Sequence, residues 1–322
     1  MRVLVILPVY GQGALPTGAF VTSREYVRGL VAAGHAVGVV TTIRDPGEVR
    51  LEGGVRVWPL RYWRRAVQAA SPEVVISHHG DRKAPRIIAR LGRVPHLLMV
   101  HGMSDDRDLG RPALAWFPSA VCRAHYPACG GPKLVLPPPI DPGLYRATPG
   151  STVTLNGSTT AKGADVLAAV AARMPDTQFL MVRAAGHTPT GLLPPNVEVV
   201  DRTDPRTVYA RTRVLLMPST TESYGRAGVE AMLSGIPVLA APLPGIREAL
   251  GAAATYIPRE DTDRWVAELR RLSDPVAYDA ASAGARAHAE ALDYSRNVGE
   301  FEATCRTLCA SMAPTRGPYC RG

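Results

Sequence analysis

The chain has 322 residues, 46% of them apolar and 20% charged, with a formal net charge of +9 at pH 7. This length suits two domains of roughly 150 residues each, and the composition excludes a disordered or fibrous protein. No apolar run reaches the roughly 18 residues that a membrane-spanning helix needs. The opening run RVLVIL is interrupted by Pro8 and Gly11, so we interpret it as a first strand rather than a signal peptide and expect a cytoplasmic protein.

The positive charge is concentrated in the first half of the chain. Residues 1–145 contain 18 Lys and Arg against 10 Asp and Glu, a net charge of +8, whereas residues 146–322 contain 19 against 18. Such an excess suits a domain that meets a membrane surface, a nucleic acid or another anionic partner. Basic residues follow an aromatic and basic run at 61–65; they are Arg82, Lys83, Arg86, Arg90 and Arg93. An anion-binding face and an ordinary solvated face both remain open.

The five cysteines are odd in number, form no CxxC motif and lie in a chain too large to need disulfides. Cys305 and Cys309 fall on one face of a predicted helix, where buried thiols are the ordinary interpretation. We therefore expect reduced thiols and no zinc site.

The first half of the chain alternates apolar runs with helical patterns. Strands are predicted over residues 2–7, 35–42, 55–60, 73–79, 96–100 and 114–119. Between the first two strands, Tyr26, Val27, Leu30 and Val31 repeat at helical spacing, and Gly34 is placed to end the helix. A strand, a helix and a strand in this order predict a parallel sheet.

A proline-rich run at 134–143 separates this half from the next, and its fixed φ angles and missing donors favour an extended linker. Beyond it, strands are predicted over 152–157, 178–183, 197–200, 214–219 and 236–241, and helices over 161–173, 204–211, 224–234 and three later stretches up to Met312. The fold class is therefore α/β, with two Rossmann-like, doubly wound domains that face each other across a cleft. We place the domains at 1–142 and 143–295, with a C-terminal helix and tail over 296–322.

The segment 218–250 carries the strongest chemical signal. Glu222 and Glu230 bracket the expected start of a helix, and Gly225 stands at that start. The unpaired N–H groups and the dipole of a helix N-terminus favour a phosphate, and glycine lets the backbone approach it closely. Carboxylate oxygens can accept hydrogen bonds from the vicinal hydroxyls of a ribose or a hexose. Together these features predict a sugar-nucleotide site, although either glutamate alone could be an ordinary helix residue.

Lys162 is a second marker, because it is the only lysine in the second half of a chain that otherwise uses arginine. It follows a predicted strand and opens a helix together with Gly163. A compact ammonium suits a diphosphate leaving group, whose developing negative charge it would stabilise. A lysine that merely lies on the surface at a helix start is the alternative.

The run ESYGRAGVEAM (222–232), followed by GIPV (235–238), resembles the donor-binding motif of the retaining glycosyltransferases of family 4. That motif has two glutamates separated by seven residues, and the family has the two-domain GT-B fold. The resemblance implies that Glu230 holds the ribose hydroxyls and that Glu222 holds the hydroxyls of the transferred sugar. It further implies that the backbone around Tyr224 and Gly225 lines the diphosphate and the sugar.

The resemblance extends to positions outside this run. The family often has an arginine before its Lys-Gly pair; this chain has NGS (156–158) there, and Arg226 is our hypothesis for the substitute cation. In the first domain, Gly18 matches the glycine loop that covers the donor phosphates. His101, at the end of a predicted strand and before Gly102, matches a histidine that contacts the donor sugar. The C-terminal helix is expected to pack back on the first domain, which would be the acceptor side.

The resemblance thus implies a retaining glycosyltransferase that moves a hexose from UDP-hexose or GDP-hexose to an unknown acceptor, with lipid, saccharide, protein and modified DNA base all open. We expect neither a metal nor a cofactor, and consider peripheral contact with an anionic surface. The predicted catalytic residues are His101, Lys162 and Glu222, and the predicted donor-binding residues are Gly18, Tyr224, Gly225, Arg226 and Glu230. A GT-B-shaped sugar-nucleotide epimerase and a non-catalytic nucleic-acid binder that uses the basic N-terminal half are the alternatives.

Overall fold

The computed structural model describes residues 1–11, 17–43, 47–81, 84–88, 91, 94–184, 187 and 192–311. The chain forms two compact units. The first comprises Met1–Pro118, Arg123–Pro139 and the chain from Ser295 onward, and the second comprises Ser119–Cys122 and Ile140–Tyr294.

An eight-stranded sheet runs through the described part of the first unit, in the order β3-β4-β2-β1-β5-β6-β7-β8. The strands are β1 (Arg2–Leu7), β2 (Ala36–Thr41), β3 (Arg50–Glu52), β4 (Val55–Pro59), β5 (Val74–His78), β6 (His96–Met99), β7 (Leu114–Phe117) and β8 (Lys133–Val135). Neighbouring strands are parallel except for β3, which pairs antiparallel with β4. Because the chain moves outward from β1 in one direction and then returns to add β5 on its other side, the strand order reverses between β1 and β5.

The second unit contains a parallel sheet of six strands in the order β11-β10-β9-β12-β13-β14. Its strands are β9 (Thr152–Asn156), β10 (Phe179–Val182), β11 (Val197–Val200), β12 (Thr212–Met217), β13 (Val238–Ala240) and β14 (Thr255–Tyr256). The order reverses between β9 and β12, so this sheet has its own switch point.

Helices connect many of these strands, as is usual for parallel crossovers. The α-helices are α1 (Gly18–Ala32), α2 (Trp63–Ala70), α3 (Ala84–Ile88), α4 (Ala120–His125), α5 (Ala164–Ala172), α6 (Pro205–Tyr209), α7 (Arg226–Met232), α8 (Pro244–Leu250), α9 (Thr262–Arg271), α10 (Pro275–Ala291) and α11 (Tyr294–Ser311). Short 3-10 turns are formed by Leu60–Tyr62, Pro142–Leu144, Thr160–Lys162 and Gly251–Ala253.

Both sheets bury apolar side chains on both faces. Along β1, Val3 and Val5 enter one core cluster, whereas Leu4 and Ile6 enter the cluster on the opposite face. The side chains of a strand alternate between faces, so a continuous apolar run such as RVLVIL is what a doubly covered parallel strand requires.

Helix α11 belongs to the core of the first unit from Ser295 onward. The ring of Phe301 stacks on that of Tyr26 in α1 with centroids 4.0 Å apart. Close by, the Glu302 carboxylate lies 2.7 Å from Nε2 of His35. Ring stacking therefore joins the last described helix to α1, and a hydrogen bond joins it to His35, which follows α1.

The prediction of two Rossmann-like α/β domains is confirmed. The proline-rich segment 134–143 was predicted to be an extended linker outside the sheet; its first two residues instead belong to β8, which pairs with β7, and its last two belong to the 3-10 turn Pro142–Leu144. The short strands β3 and β14 were missed, since two or three residues carry too little periodicity to be recognised. Cys122, Cys129, Cys305 and Cys309 are free thiols, and Cys320 lies outside the described residues.

Candidate active site

The switch point between β9 and β12 brings together two segments that the sequence separates by some sixty residues. The turn Thr160–Lys162 follows β9, and Glu222 lies in the loop between β12 and α7. These strands are paired, with Leu155 of β9 opposite Leu216 of β12. Ligands of doubly wound sheets bind beyond the strand ends at such a point, so the topology makes this the first place to look for a site.

Lys162 and Glu222 form an ion pair there. Nζ of Lys162 donates to Oε1 of Glu222, which also accepts a hydrogen bond of 3.1 Å from the Ser219 hydroxyl. The second carboxylate oxygen, Oε2, accepts no hydrogen bond from the described residues. The Lys162 side chain is 43% exposed and that of Glu222 16%. An ammonium has three N–H donors, so both partners keep hydrogen-bonding capacity for a ligand.

Two glycines allow the Lys162 turn to pack closely against the ends of β9 and β12. Gly163 has φ +98°, and a Cβ at this position would lie 2.1 Å from Cγ of Pro218, the residue after β12. A Cβ on Gly157 would lie 2.8 Å from Cβ of Lys162. Any larger residue at 157 or 163 would therefore push the turn away from the strand ends. The Thr159 hydroxyl caps the turn by accepting from the Lys162 N–H at 3.3 Å.

A second ion pair lies in α7, and it is buried. Nε of Arg226 donates to Oε1 of Glu230 at 2.6 Å, and the hydroxyl of Tyr209 donates to Oε2 at 3.0 Å. Arg226 also donates to the hydroxyl of Tyr145 at 2.8 Å. The side chains of Arg226 and Glu230 are only 8% and 11% exposed. Burial and the adjacent Glu230 carboxylate raise the pKa of Tyr209 well above its usual value, which keeps this hydroxyl a donor.

The backbone between these two pairs is shaped by two further glycines. Gly225 precedes α7 with φ +90°, a left-handed conformation that suits glycine. A Cβ on Gly245, in the first turn of α8, would lie 2.3 Å from the carbonyl oxygen of Glu222. The Tyr224 ring is buried, and this burial raises its pKa to about 12. Tyr224 therefore anchors the loop in the core, while its backbone remains the part that a ligand could meet.

Glu248 of α8 holds the four-residue segment of the second unit that precedes β8. Its carboxylate accepts hydrogen bonds from the N–H groups of Ala120 and Val121 at 2.7 and 3.2 Å. The Ser119 hydroxyl donates to the carbonyl of Ser223, next to Glu222. The Glu222 loop is thus held by Ser119, through the Ser223 carbonyl, and by Lys162 and Ser219, through the Glu222 carboxylate.

In the first unit, Gly18 and His101 occupy separate elements. Gly18 begins α1, and its carbonyl accepts a hydrogen bond of 2.9 Å from the Thr22 hydroxyl. His101 follows β6; its Nε2 lies 3.1 Å from the hydroxyl of Ser23, and its ring stacks on His78 with centroids 4.8 Å apart. His101 therefore meets Ser23, in the second turn of α1, near the carboxyl ends of β5 and β6.

His78 and His79 extend this stack, with ring centroids 5.0 Å apart. Burial and the neighbouring His79 lower the pKa of His78 to about 3, and burial lowers the pKa of His79. Nδ1 of His78 accepts from the Gly80 N–H at 3.0 Å, which leaves the proton on Nε2, a buried atom without a partner among the described residues. These imidazoles are neutral donors at physiological pH.

The structure thus brings Lys162 together with Glu222, and Arg226 together with Glu230. Sequence reasoning missed the side chains that support these pairs; Ser219 and Tyr209 carry no local signal, because their partners depend on strand pairing. The basic side chains of Arg82, Lys83, Arg86, Arg90 and Arg93 lie outside the described part of the chain. Within that part, no cluster of three or more His, Cys, Asp or Glu could hold a metal ion, and no helix is long and apolar enough to cross a membrane.

Residues 152–274 match the model of the family described as glycosyl transferases group 1. This segment contains Lys162, Glu222 and Glu230 together with the strands that carry them. The matched residues lie in the second unit, and over them the chain is similar to this family.

Curated relatives match about half of the chain or less. It is 30% identical over 190 residues to D-inositol 3-phosphate glycosyltransferase of Mycobacterium leprae, which covers 49% of this chain and 44% of that protein. The protein of the same name from Nocardiopsis dassonvillei is 34% identical over 108 residues, covering 33% and 25%. The chain therefore matches less than half the length of these relatives.

Solved structures resemble the chain over nearly its whole length. Sucrose-phosphate synthase from Thermosynechococcus elongatus has a TM-score of 0.79 and 18% identity, covering 97% of this chain and all of that one. Alr3699/HepE of Anabaena, in complex with UDP-glucose, has a TM-score of 0.75 and 18% identity, covering 95% and 99%. At these identities the likeness concerns the fold, which is GT-B.

Proposed function

We propose that the protein is a retaining glycosyltransferase that moves a hexose from UDP-hexose or GDP-hexose to an acceptor hydroxyl. The observation that carries this proposal is the pair of Lys162 and Glu222 at the switch point of the domain that matches the family. The UDP-glucose found with the Anabaena protein supports a nucleoside diphosphate sugar as the donor class. Neither the epimerase nor the nucleic-acid binder is favoured by these relatives.

Lys162 is proposed to stabilise the leaving diphosphate. Its ammonium is partly exposed, and Glu222 accepts only one of its hydrogen bonds among the described residues. As the bond between the sugar and the phosphate breaks, negative charge grows on the phosphate oxygen. A cation positioned for that charge stabilises the transition state more than the ground state.

The two glutamates of the motif are proposed to hold the two sugars of the donor. Oε2 of Glu222 would accept from hydroxyls of the transferred hexose, since it has no other donor in the described structure. Glu230 would accept from the ribose; Arg226 and Tyr209 each occupy one of its oxygens, and each carboxylate oxygen can accept a second hydrogen bond.

Further residues are proposed to complete the donor site. Gly18 and the backbone of Tyr224 and Gly225 would line the diphosphate, and His101 would contact the transferred sugar. Arg226 would act on the donor through Glu230, because its guanidinium is buried against that carboxylate and Tyr145. The direct phosphate contact that the sequence suggested for Arg226 stays a hypothesis beside this role.

Retention follows in this proposal from substitution on one face of the sugar. The bond between the anomeric carbon and the phosphate oxygen breaks, and its electron pair leaves with the diphosphate. The acceptor oxygen forms the new bond from the same face, and its proton passes to the leaving phosphate. No protein nucleophile is needed, so the chain's contribution is positioning and electrostatic stabilisation.

The donor can be identified by a thermal-shift panel of UDP, GDP and their hexose derivatives. A ligand that binds the folded protein raises the melting temperature by mass action, so the matching nucleotide should stand out. The anomeric configuration of the product, determined by NMR, then tests retention. The proposal fails if no nucleoside diphosphate stabilises the protein, or if the product is inverted.

We further propose that the first unit contacts an anionic surface through the start of α2. Arg61, Arg64 and Arg65 are exposed there, and the Arg64 guanidinium lies 4.8 Å from the Trp63 ring centroid. Basic and aromatic side chains on one short helix suit the interface of a charged bilayer. Sedimentation with phosphatidylserine vesicles should exceed that with neutral vesicles and should fall with added salt; equal binding would refute this contact.

A further inference from the structure

Arg259 lies in the turn between β14 and α9 and joins the two segments that carry Lys162 and Glu222. Its Nε donates to the carbonyl of Pro218 at 3.0 Å, and one terminal nitrogen donates to the carbonyl of Thr160, also at 3.0 Å. The same nitrogen pairs with the Asp165 carboxylate, 2.6 Å from Oδ2. One guanidinium thus contacts the end of β12, the Lys162 turn and the first turn of α5.

These contacts flank the proposed catalytic pair in the sequence. Thr160 is two residues before Lys162, and Pro218 is four residues before Glu222. A second link joins the same segments, because the Thr220 N–H donates to the carbonyl of Ala161 at 2.9 Å. The distance between Lys162 and Glu222 is therefore set by the contacts of Arg259 together with those of Thr220, whose hydroxyl also donates to the Ala161 carbonyl at 3.4 Å.

Only an arginine can make this set of contacts. The guanidinium is planar and presents its donors in a fixed fork, so that it can address two carbonyls and a carboxylate from one position. A lysine carries a single nitrogen and cannot span acceptors on two segments in the same way. The Arg259 side chain is 26% exposed, so partial burial reduces competition from water for these hydrogen bonds.

We infer that Arg259 is a positioning residue that holds Lys162 in the geometry required for departure of the diphosphate. The expected effect on catalysis rests on the proposed glycosyl transfer. The expected effect of Arg259 on the position of Lys162 does not depend on that proposal. Arg259 acts through the turn and not through contact with the donor. Its loss should lower kcat and leave the donor KM nearly unchanged, because the misplaced ammonium matters most when charge develops.

The kinetic test compares Arg259→Met and Arg259→Lys with a matched control, Arg173→Met. Arg173 pairs with Asp263 in the same unit, and neither residue belongs to the proposed site. We expect Arg259→Met to lower kcat by about 10- to 100-fold, the size of effect that a displacement of about 1 Å can have. Arg259→Lys should restore little of it, and Arg173→Met should match the wild type. Equal kcat in all four proteins would overturn the inference.

The position of Lys162 can be monitored independently by NMR, because the chain contains few lysines. The chain contains only Lys83, Lys133 and Lys162, so reductive methylation with 13C-formaldehyde gives three lysine methyl signals besides that of the N-terminus. Lys162→Arg assigns the signal of interest. Arg259→Met should shift this signal, whereas Arg173→Met should not.

The two readouts separate the possible failures. If kcat falls while the Lys162 signal is unchanged, Arg259 does not act through Lys162 and the inference is wrong. If the signal shifts but the wild-type protein transfers no sugar from any donor, the positioning stands and the proposed function falls. Should Arg259→Met fail to fold, Arg259→Lys provides the same test, since it keeps the positive charge but cannot make both carbonyl contacts.

Discussion

The strand ends of the two sheets differ in electrostatic character. Beyond β9 and β12 the candidate groups are ions arranged in pairs, Lys162 with Glu222 and Arg226 with Glu230. Beyond β5 the candidate groups include buried imidazoles whose pKa values are lowered, as for His78. Part of the basic excess of the first half lies instead on the exposed arginines at the start of α2. Overall charge and site charge are separate properties of a domain.

The two ion pairs of the second unit also differ from each other. Lys162 is 43% exposed, whereas Arg226 is 8% exposed and has a tyrosine hydroxyl as a further partner. A buried pair is costly to break from one side, while a partly exposed pair contributes little to stability. Burial therefore predicts that Arg226 and Glu230 hold the fold together and that Lys162 serves a ligand.

The largest expected effect is the loss of stability in Glu230→Ala. Removing this carboxylate breaks a buried ion pair from one side, which should lower the free energy of unfolding by about 3–5 kcal/mol. Denaturant unfolding of this variant and of Glu290→Ala, which breaks an exposed ion pair with Arg146, measures the difference. If the free energy of unfolding falls equally little in both variants, burial does not make the Arg226–Glu230 pair more important for stability.

Lys162→Ala should have the next largest effect, and it concerns rate. Removing a group that stabilises developing charge should lower kcat by about 10²- to 10³-fold. Steady-state kinetics with Lys133→Ala as the control would measure this, because Lys133 is an exposed lysine of the other unit. A kcat within twofold of the control would contradict the role of Lys162.

Glu230→Gln tests the donor contact with less damage to the fold, because it keeps an acceptor oxygen for Arg226. Donor affinity should fall by about 1–3 kcal/mol, since the amide cannot pair with both ribose hydroxyls and its existing partners. Isothermal titration with the nucleoside diphosphate found in the thermal-shift panel measures the change. Unchanged affinity would remove Glu230 from the donor site.

The histidines of the first unit predict a pH dependence of stability. The folded-state pKa is lowered from 6.5 to about 3 for His78 and to about 4 for His96, by burial. The unfolded chain therefore binds more protons between these values and 6.5, so stability is fully present above pH 6.5 and falls below it. Each histidine contributes up to about 1.4 kcal/mol per pH unit in this window. His78→Phe should flatten the curve of unfolding free energy against pH relative to wild type; parallel curves would contradict the assignment.

The smallest expected effect is that of Lys162→Ala on stability. Because its pair with Glu222 is partly exposed, the free energy of unfolding should change by no more than about 1 kcal/mol. Denaturant unfolding alongside Glu230→Ala gives the comparison directly. If Lys162→Ala lowered the free energy of unfolding as much as Glu230→Ala, the two ion pairs would contribute equally to stability and the prediction would be wrong.

Much of the architecture follows from local patterns in the sequence. The apolar runs at 2–7, 152–157 and 214–219 became β1, β9 and β12, because a parallel strand covered on both faces needs an unbroken apolar run. The motif around Glu222 and Glu230 could also be recognised from the sequence, because its residues are close together in the chain. Short strands such as β14 could not be predicted from the sequence, because pairing with a neighbouring strand stabilises them more than their own residues do.

Tertiary structure alone decided which acid meets which base. The sequence suggested Arg226 as a cation near Lys162, but the fold pairs Arg226 with Glu230 and pairs Lys162 with Glu222, 60 residues away. Arg259 reaches Thr160 across 99 residues, and nothing in its local sequence indicates this. Periodicity reports only which face of an element is buried, whereas the pairing and register of β9 and β12 determine which loops lie side by side and therefore which charges can touch.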